Sequence, residues 1–264
     1  MPDSEKPLVY LVLGTAGAGR RDILADLIAG GLVAGDRAAV LLSDSETPAA
    51  ADARLPGLAR WTWHADARVI AAELPADATH VFLVADGRRN PVDQLEAFRP
   101  WCEAAGAELA RVFCVVDCAL AEKTPALLPW FEACVHFSDI VLLTRREAVA
   151  NKWLSDFQTH FKKQFLPCLF ELVKSGRVKN PALVLTPEAR RMSHAFDAEP
   201  DWIFTNADGI EFGEDDDEAV ADNGKAEEEI TAEPAVDEYF VRDAAGKRVK
   251  KIPDVRKFLS GETP

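Results

Sequence analysis

The chain has 264 residues, 48% hydrophobic and 28% charged, with a formal net charge of −14 at pH 7. That length holds a sizeable core in one or two domains, and the composition excludes collagen-like, coiled-coil and wholly disordered chains. No apolar run reaches the roughly 18 residues of a membrane span, and Met1 to Lys6 is too polar for a secretory leader.

The acidic excess is concentrated. Between 206 and 238 there are fourteen acidic residues and one basic residue, Lys225, whereas 239–264 holds seven basic and three acidic residues. The remaining body is nearly neutral, so non-specific nucleic-acid binding is not indicated. The acidic strip reads as a solvated linker; folding back on the basic tail and binding a basic partner are the alternatives. The cysteines number five, Cys102, Cys114, Cys118, Cys134 and Cys168, with no C-x-x-C pair. An odd count without a leader suggests free thiols in a reducing, cytoplasmic compartment.

In chain order, Leu8–Leu13 is an apolar run ending at Gly14 and predicts a buried strand. Residues 20–28 place Ile23, Leu24, Leu27 and Ile28 at helical spacing, and Gly30-Gly31 stops that helix. A strand follows over 38–42, a short strand over 60–65 and a helix over 67–74. Residues 80–85 predict a strand ending at Asp86-Gly87, and 91–105 a helix with Pro91 in its first turn. A strand over 111–116 ends at Asp117, a helix follows over 125–134, and a strand over 140–143 ends at Thr144. A helix over 148–165 and a last short strand over 181–185 complete the series.

This alternation predicts an α/β fold, a doubly wound and mostly parallel sheet between helical layers. Continuous rather than alternating apolar strands agree with a sheet covered on both faces. Beyond Ala207 the periodicity fades until 238–252, which reads as a small β-hairpin turning at 243–246, with a short helix over 253–259. The expected division is 1–205 as the α/β domain, 206–238 as acidic linker and 239–264 as basic hairpin and tail.

Ligands of such sheets sit at the carboxyl ends of the strands. The first such end here is Gly14-Thr15-Ala16-Gly17-Ala18-Gly19-Arg20-Arg21. A phosphate loop has the form G-x-x-x-x-G-K-S/T between a strand and a helix, and Gly14 and Gly19 have that separation. Its glycines let main-chain N–H groups curl inward toward an anion at the helix N-terminus. Arg20 stands in the Lys position and Arg21 in that of the Mg²⁺-binding Ser or Thr. A guanidinium grips phosphate but cannot ligate a metal, so hydrolysis is doubtful and Mg²⁺ is not expected. A turn that binds nothing is the plainer alternative. Asp44 closes the second strand where a dinucleotide ribose would bind, but Asp22 replaces the third glycine of that fingerprint.

The order of motifs resembles the CobW-type branch of the SIMIBI-class P-loop GTPases. The loop matches that family's G-x-x-G-A-G but not its following K-T-T. His80 to Pro91, with Asp86 after the strand, is similar to the family's Walker B segment, and Val112 to Cys118 is similar to its V-V-x-V-V-D-A strand. Cys134 to Glu147 is framed like its A-D-x-I-V-L-N-K-x-D segment, with Thr144-Arg145-Arg146-Glu147 in the guanine-reading place. The resemblance covers 8–186 and implies a P-loop NTPase-like fold with GTP or another nucleotide as ligand. Gly14 to Arg21 would hold the phosphates, Asp86 would stand at the Walker B position, and Thr144 to Glu147 would sit beside the base. The family's C-x-C-C metal motif is absent, so its metallochaperone role does not carry over.

No structural metal is expected, because His64, His80, His136, His160 and His194 lie at no metal-ligand spacing. No G-x-S-x-G nucleophile elbow occurs, and no catalytic residue is assigned. An ion pair between Arg21 and Asp86 would fill the metal position. Asp86, Asp117 and Asp139 also read as turn or helix caps. Trp153, Phe157, Phe161 and Phe165 recur at i, i+4 as a core stripe. Arg20-Arg21, Arg88-Arg89 and Arg145-Arg146 put six guanidiniums around one rim.

The expectation is a degenerate P-loop GTPase-like protein that binds a nucleotide or other phosphate anion with impaired or no hydrolysis. The alternatives are a pseudo-enzyme interaction module and an active NTPase with an atypical loop. Protein partners through the acidic linker or the arginine rim, and a homodimer, are left open. Neither membrane nor nucleic acid is expected.

Overall fold

The computed structural model describes residues 6–197, 202–205, 211–212 and 231–259. The chain divides into two compact units, Met1–Met192 with Lys251–Pro264, and Ser193–Lys250.

The first unit is built on an eight-stranded sheet. Its strands are β1 (Leu8–Gly14), β2 (Ala38–Ser43), β3 (Ala59–His64), β4 (Val69–Ala71), β5 (His80–Val84), β6 (Glu108–Asp117), β7 (Ile140–Thr144) and β8 (Leu169–Leu172). Their order is β4-β3-β2-β5-β1-β6-β7-β8, and every pairing is parallel except β3 with β4. The helices are α1 (Arg20–Gly31), α2 (Pro91–Ala104), α3 (Cys118–Lys123), α4 (Leu128–His136), α5 (Asn151–Lys162) and α6 (Pro181–Leu185).

The central strands are apolar along their length because both faces are covered. On one face Tyr10, Val12, Val40, Phe82 and Leu142 pack with Ile23, Leu24 and Leu27 of α1 and Val184 and Leu185 of α6. The Tyr10 ring stacks on Phe82 at 4.8 Å, and its hydroxyl donates to Leu185 O at 2.7 Å. The alternate residues Val9, Leu11, Leu83, Val112 and Val141 are as fully buried on the other face. There α2 and α4 contact β6, and Phe131 of α4 meets Phe157 of α5 edge to face.

Strand β1 lies between β5 and β6, so the chain crosses over it as it passes from one half of the sheet to the other. Parallel pairing aligns the carboxyl ends, with Val12 opposite Val84, Gly14 opposite Val115 and Asp117 opposite Thr144. The glycine loop, Asp86, Asp117 and Thr144 therefore share one edge of the sheet.

Several elements differ from expectation. The helix read over 67–74 is β4, paired antiparallel to β3 with Trp63 opposite Ile70. The strand read over 181–185 is the helix α6, whose N-cap Asn180 accepts from Leu183 N at 3.3 Å with Pro181 in the first turn. The helix read over 148–165 spans only Asn151–Lys162. Phe157 and Phe161 are core, as the stripe predicts, but Phe165 beyond the helix end is 89% exposed. Strand β8 and helix α3 are additional.

The second unit carries a three-stranded antiparallel sheet of β9 (Trp202–Thr205), β10 (Glu211–Phe212) and β11 (Thr231–Pro234), in the order β10-β9-β11. Residues 206–238, read from charge as a linker, thus supply β10 and β11; 206–210 and 213–230 lie outside the described residues. The expected hairpin is reduced to a chain reversal. Arg242 bridges Arg248, Gly246 N donates to Asp243 O at 2.8 Å and Asp243 N to Lys247 O at 2.7 Å. In the first unit, the helix read over 253–259 is a single 3-10 turn, Val255–Phe258.

All five cysteines are buried free thiols. Burial pushes the Cys118 and Cys168 thiols up to about 12 and Cys102 up to about 11. Thiolate is the reactive form, so the native protein is expected to resist a thiol-specific disulfide reagent at pH 8. All five should react in denaturant. Rapid colour from even one thiol in native buffer would contradict this.

Candidate functional site

The loop between β1 and α1 forms the centre of the site. Gly17 and Gly19 have φ of 81° and 87°, in the left-handed region where a side chain is strained. A Cβ on either would meet nothing within 4 Å, so the space in front of the loop is open. Gly19 is the N-cap of α1 and makes no side-chain capping bond. Within the loop, Ala16 N donates to Gly87 O at 3.1 Å and Ala18 N to Thr15 O at 3.2 Å. Thr15 is fully buried, and its hydroxyl has no hydrogen-bond partner. Two cavities meet at this loop and share Ala16, Gly17, Arg88 and Arg145 as lining. One, of about 300 Å³, extends toward Arg20, Arg21 and Glu46; the other, of about 400 Å³, toward Asp117 and Lys123.

Arg20 does not project into solvent. Its side chain is 4% exposed, and the guanidinium donates to Ala85 O at the end of β5 and to a Glu46 carboxylate oxygen. Burial lowers its pKa, and the neighbouring carboxylates of Glu46 and Asp86 oppose that shift. Arg21 holds the second Glu46 oxygen at 3.0 Å and Thr47 O at 2.9 Å. Its Nε lies 3.1 Å from Asp52 Oδ1, an ion-pair distance without the alignment of a hydrogen bond. Arg60 continues the chain, with Nη2 at 3.2 Å from Asp52 Oδ2 and Nη1 donating to Ser43 O and Glu46 O at 3.0 and 2.9 Å. Arg20, Glu46, Arg21, Asp52 and Arg60 thus form one alternating network. It joins the start of α1 to the connection between β2 and β3.

Asp86 is buried and accepts from Arg88 N and Arg89 Nε, both at 2.9 Å. Its own main chain is clasped by Gln94, which accepts from Asp86 N at 2.7 Å and donates to Asp86 O at 3.1 Å. The expected ion pair between Arg21 and Asp86 is replaced by separate partners for each. The reason is geometric: Arg89 is three residues from Asp86, while Glu46 and Asp52 are held over Arg21 by Arg60. Arg21 thus stands at the loop position where a phosphate loop carries its metal-binding Ser or Thr, and the carboxylates of Glu46, Asp52 and Asp86 are engaged with arginines.

Thr144 is buried, with Oγ1 3.2 Å from Ala18 O and 3.0 Å from Val116 O, so it ties the loop to β6. Arg145 has φ of 51°, a conformation costing about 1 kcal/mol for a residue with a Cβ. It gains a 2.7 Å pair with Asp117 and donates to Gly17 O at 2.9 Å. Asp117 also caps α3, accepting from Leu120 N at 3.1 Å. Glu147 is exposed on the turn Arg146–Ala148 and lines neither cavity. Asp44 accepts from the Thr62 hydroxyl at 2.7 Å. Asp139 is a turn anchor, accepting from Val112 N and Arg190 N, both at 2.6 Å.

Of the residues singled out in the sequence, Gly14 to Arg21, Asp86 and Thr144 converge at one end of the sheet, and Glu147 stands apart. Glu46, Asp52, Arg60 and Arg145 complete the site. Glu46 and Asp52 escaped sequence reasoning because they sit in the connection between β2 and β3, and Arg60 because it lies on β3 with no motif to mark it. Among the described residues, no three His, Cys, Asp or Glu side chains are placed to hold a metal ion. No described helix is long and apolar enough to cross a membrane.

A mostly parallel sheet with a glycine loop between its central strand and first helix is a P-loop NTPase-like α/β fold, as the motif order predicts. No protein-family model matches the chain, and no curated protein matches it by sequence. Among solved structures it is similar to a Zn(II)-bound triple mutant of YjiA GTPase, at 15% identity and a TM-score of 0.44. It is also similar to Zn(II)-bound YjiA GTPase from E. coli, at 13% identity and a TM-score of 0.40. Each match covers 77% of this chain and 72% of the other. A third is the signal recognition particle receptor FtsY from Elizabethkingia anophelis in complex with GDP. That match has 15% identity and a TM-score of 0.45, covering 68% of this chain and 62% of that one.

Proposed function

We propose that this chain is a degenerate P-loop protein that binds a nucleotide or other phosphate anion without a metal ion and does not hydrolyse it. The observation that carries this reading is the open main-chain loop at Gly17 and Gly19, facing a cavity with more guanidinium than carboxylate around it. Arg20, Arg21, Arg88 and Arg145 line that cavity against Asp22 and Glu46. Fixed guanidiniums would then neutralise the phosphate charge that a divalent cation neutralises in ordinary P-loop enzymes. The reading assigns no group to activate water and no metal to polarise the leaving oxygen.

Thermal unfolding with GTP, GDP or ATP, in EDTA and in Mg²⁺, tests it. A ligand at a hundredfold excess over its Kd contributes about 2.7 kcal/mol, a rise in Tm of about 5–10 °C for a chain of this size. The rise should be the same in EDTA as in Mg²⁺, with no phosphate released. No shift at millimolar nucleotide, or a shift only with Mg²⁺, would overturn the proposal. Steady phosphate release lost in Arg20→Ala would favour an active NTPase instead.

A second reading, an interaction module that binds no nucleotide, draws support from the Glu46 carboxylate already seated on Arg20 and Arg21.

A further inference from the structure

We infer that Glu46 is a tethered counter-anion that a phosphate-bearing ligand must displace, so that occupancy of the loop is coupled to release of the connection 44–54. This rests on the anion-binding reading above and specifies how that site is regulated.

Three observations converge. The two Glu46 oxygens each hold a different guanidinium, Arg20 and Arg21, which stand at the two positions following the last loop glycine. These are the cationic groups nearest in sequence to the open loop, and a dianionic phosphate would compete for the same donors. Next, Glu46, Thr47, Ala49 and Ala51 form one wall of the cavity, so the segment that supplies the internal anion also closes the space a ligand would enter. Finally, that wall is held chiefly through charge. Besides the Glu46 pairs, Arg21 binds Thr47 O and meets Asp52, and Arg60 holds Asp52 and Glu46 O. Ala50–Arg54 is a single 3-10 turn without a fully buried side chain, so apolar packing does little to keep it in place.

The Glu46 side chain is 10% exposed, near enough to water to leave without crossing the core. A ligand binding only after this departure has its affinity scaled down to the fraction of molecules in which Glu46 has left. Reciprocally, the bound ligand stabilises the state in which 44–54 is detached. The class of ligand is one with a terminal phosphate or diphosphate dianion.

The probe is inorganic pyrophosphate, titrated calorimetrically in EDTA into the full chain and into Glu46→Gln. The variant keeps the shape of the side chain while removing its charge. Glu46→Gln should bind pyrophosphate at least tenfold more tightly than the unaltered chain. Hydrogen exchange on the unaltered chain supplies a second readout that needs no variant: pyrophosphate should speed exchange across 44–54. Equal or weaker binding by Glu46→Gln, with unchanged exchange across 44–54, would overturn the gate while leaving the anion-binding site intact. If neither protein binds pyrophosphate or any nucleotide, the anion-binding reading falls and the gate falls with it.

Discussion

The Gly87→Ala variant is expected to lose about 3 kcal/mol of stability, enough to threaten folding outright. A Cβ at position 87 would stand 2.3 Å from Ala16 N and 2.6 Å from both Gly14 O and the Thr15 carbonyl carbon. All three are main-chain atoms, so no rotamer change relieves the contact. The same approach lets Gly87 O accept from Ala16 N, and forcing the strands apart would break that bond as well. The loop cannot yield on its own, because Thr144 and Arg145 hold Ala18 O and Gly17 O from the other side. Urea denaturation gives the measurement, with the midpoint falling at unchanged slope. A midpoint shift worth less than about 0.5 kcal/mol would show that the two segments separate easily, and with that the rigid loop would be lost.

The Arg20→Ala variant is expected to cost about 3–5 kcal/mol, the range for removing one partner of a buried ion pair. Three losses add. Ala85 O loses its donor at a buried strand end, Glu46 keeps only Arg21, and a large buried side chain leaves a void. Arg20→Lys keeps the charge but replaces a fork with a point donor, so it should fall between the two. Arg20 is a clamp for Glu46 and, once Glu46 is displaced, a donor to the ligand, so pyrophosphate affinity should fall in Arg20→Ala together with stability in ligand-free buffer. Retention of full stability in Arg20→Ala would contradict the clamp.

The parallel core could be read in advance because its strands are continuous apolar runs. Leu8 to Leu13, Val81 to Val84 and Ile140 to Leu143 have no alternation that a helix could share. Reading failed where a segment was short enough for either period. Pro181-Ala-Leu-Val-Leu is apolar throughout, and its helical form is decided by Asn180 and Pro181 at its start. Val69-Ile70-Ala71 becomes a strand because β3 offers an antiparallel edge, a fact that lies outside the segment itself. The glycine loop was recognisable from spacing, since left-handed backbone needs glycine at Gly17 and Gly19. The partners of Arg20 and Arg21 were not. Glu46 and Asp52 lie 26 and 31 residues from the arginines they meet, and only the crossing from α1 to β2 brings that connection back over the loop.

The alternating network has a consequence for how such a sequence can be changed. Exchanging Arg20 and Arg21 for lysine and threonine would give the loop the residues of an ordinary phosphate loop. It would also take both guanidiniums from the Glu46 carboxylate, only 10% exposed, and leave Asp52 that of Arg60 alone. Either exchange made singly is therefore expected to weaken the protein unless the facing carboxylate changes with it. Positions 46 and 52 should accordingly be altered together with 20 and 21 in any redesign of the loop.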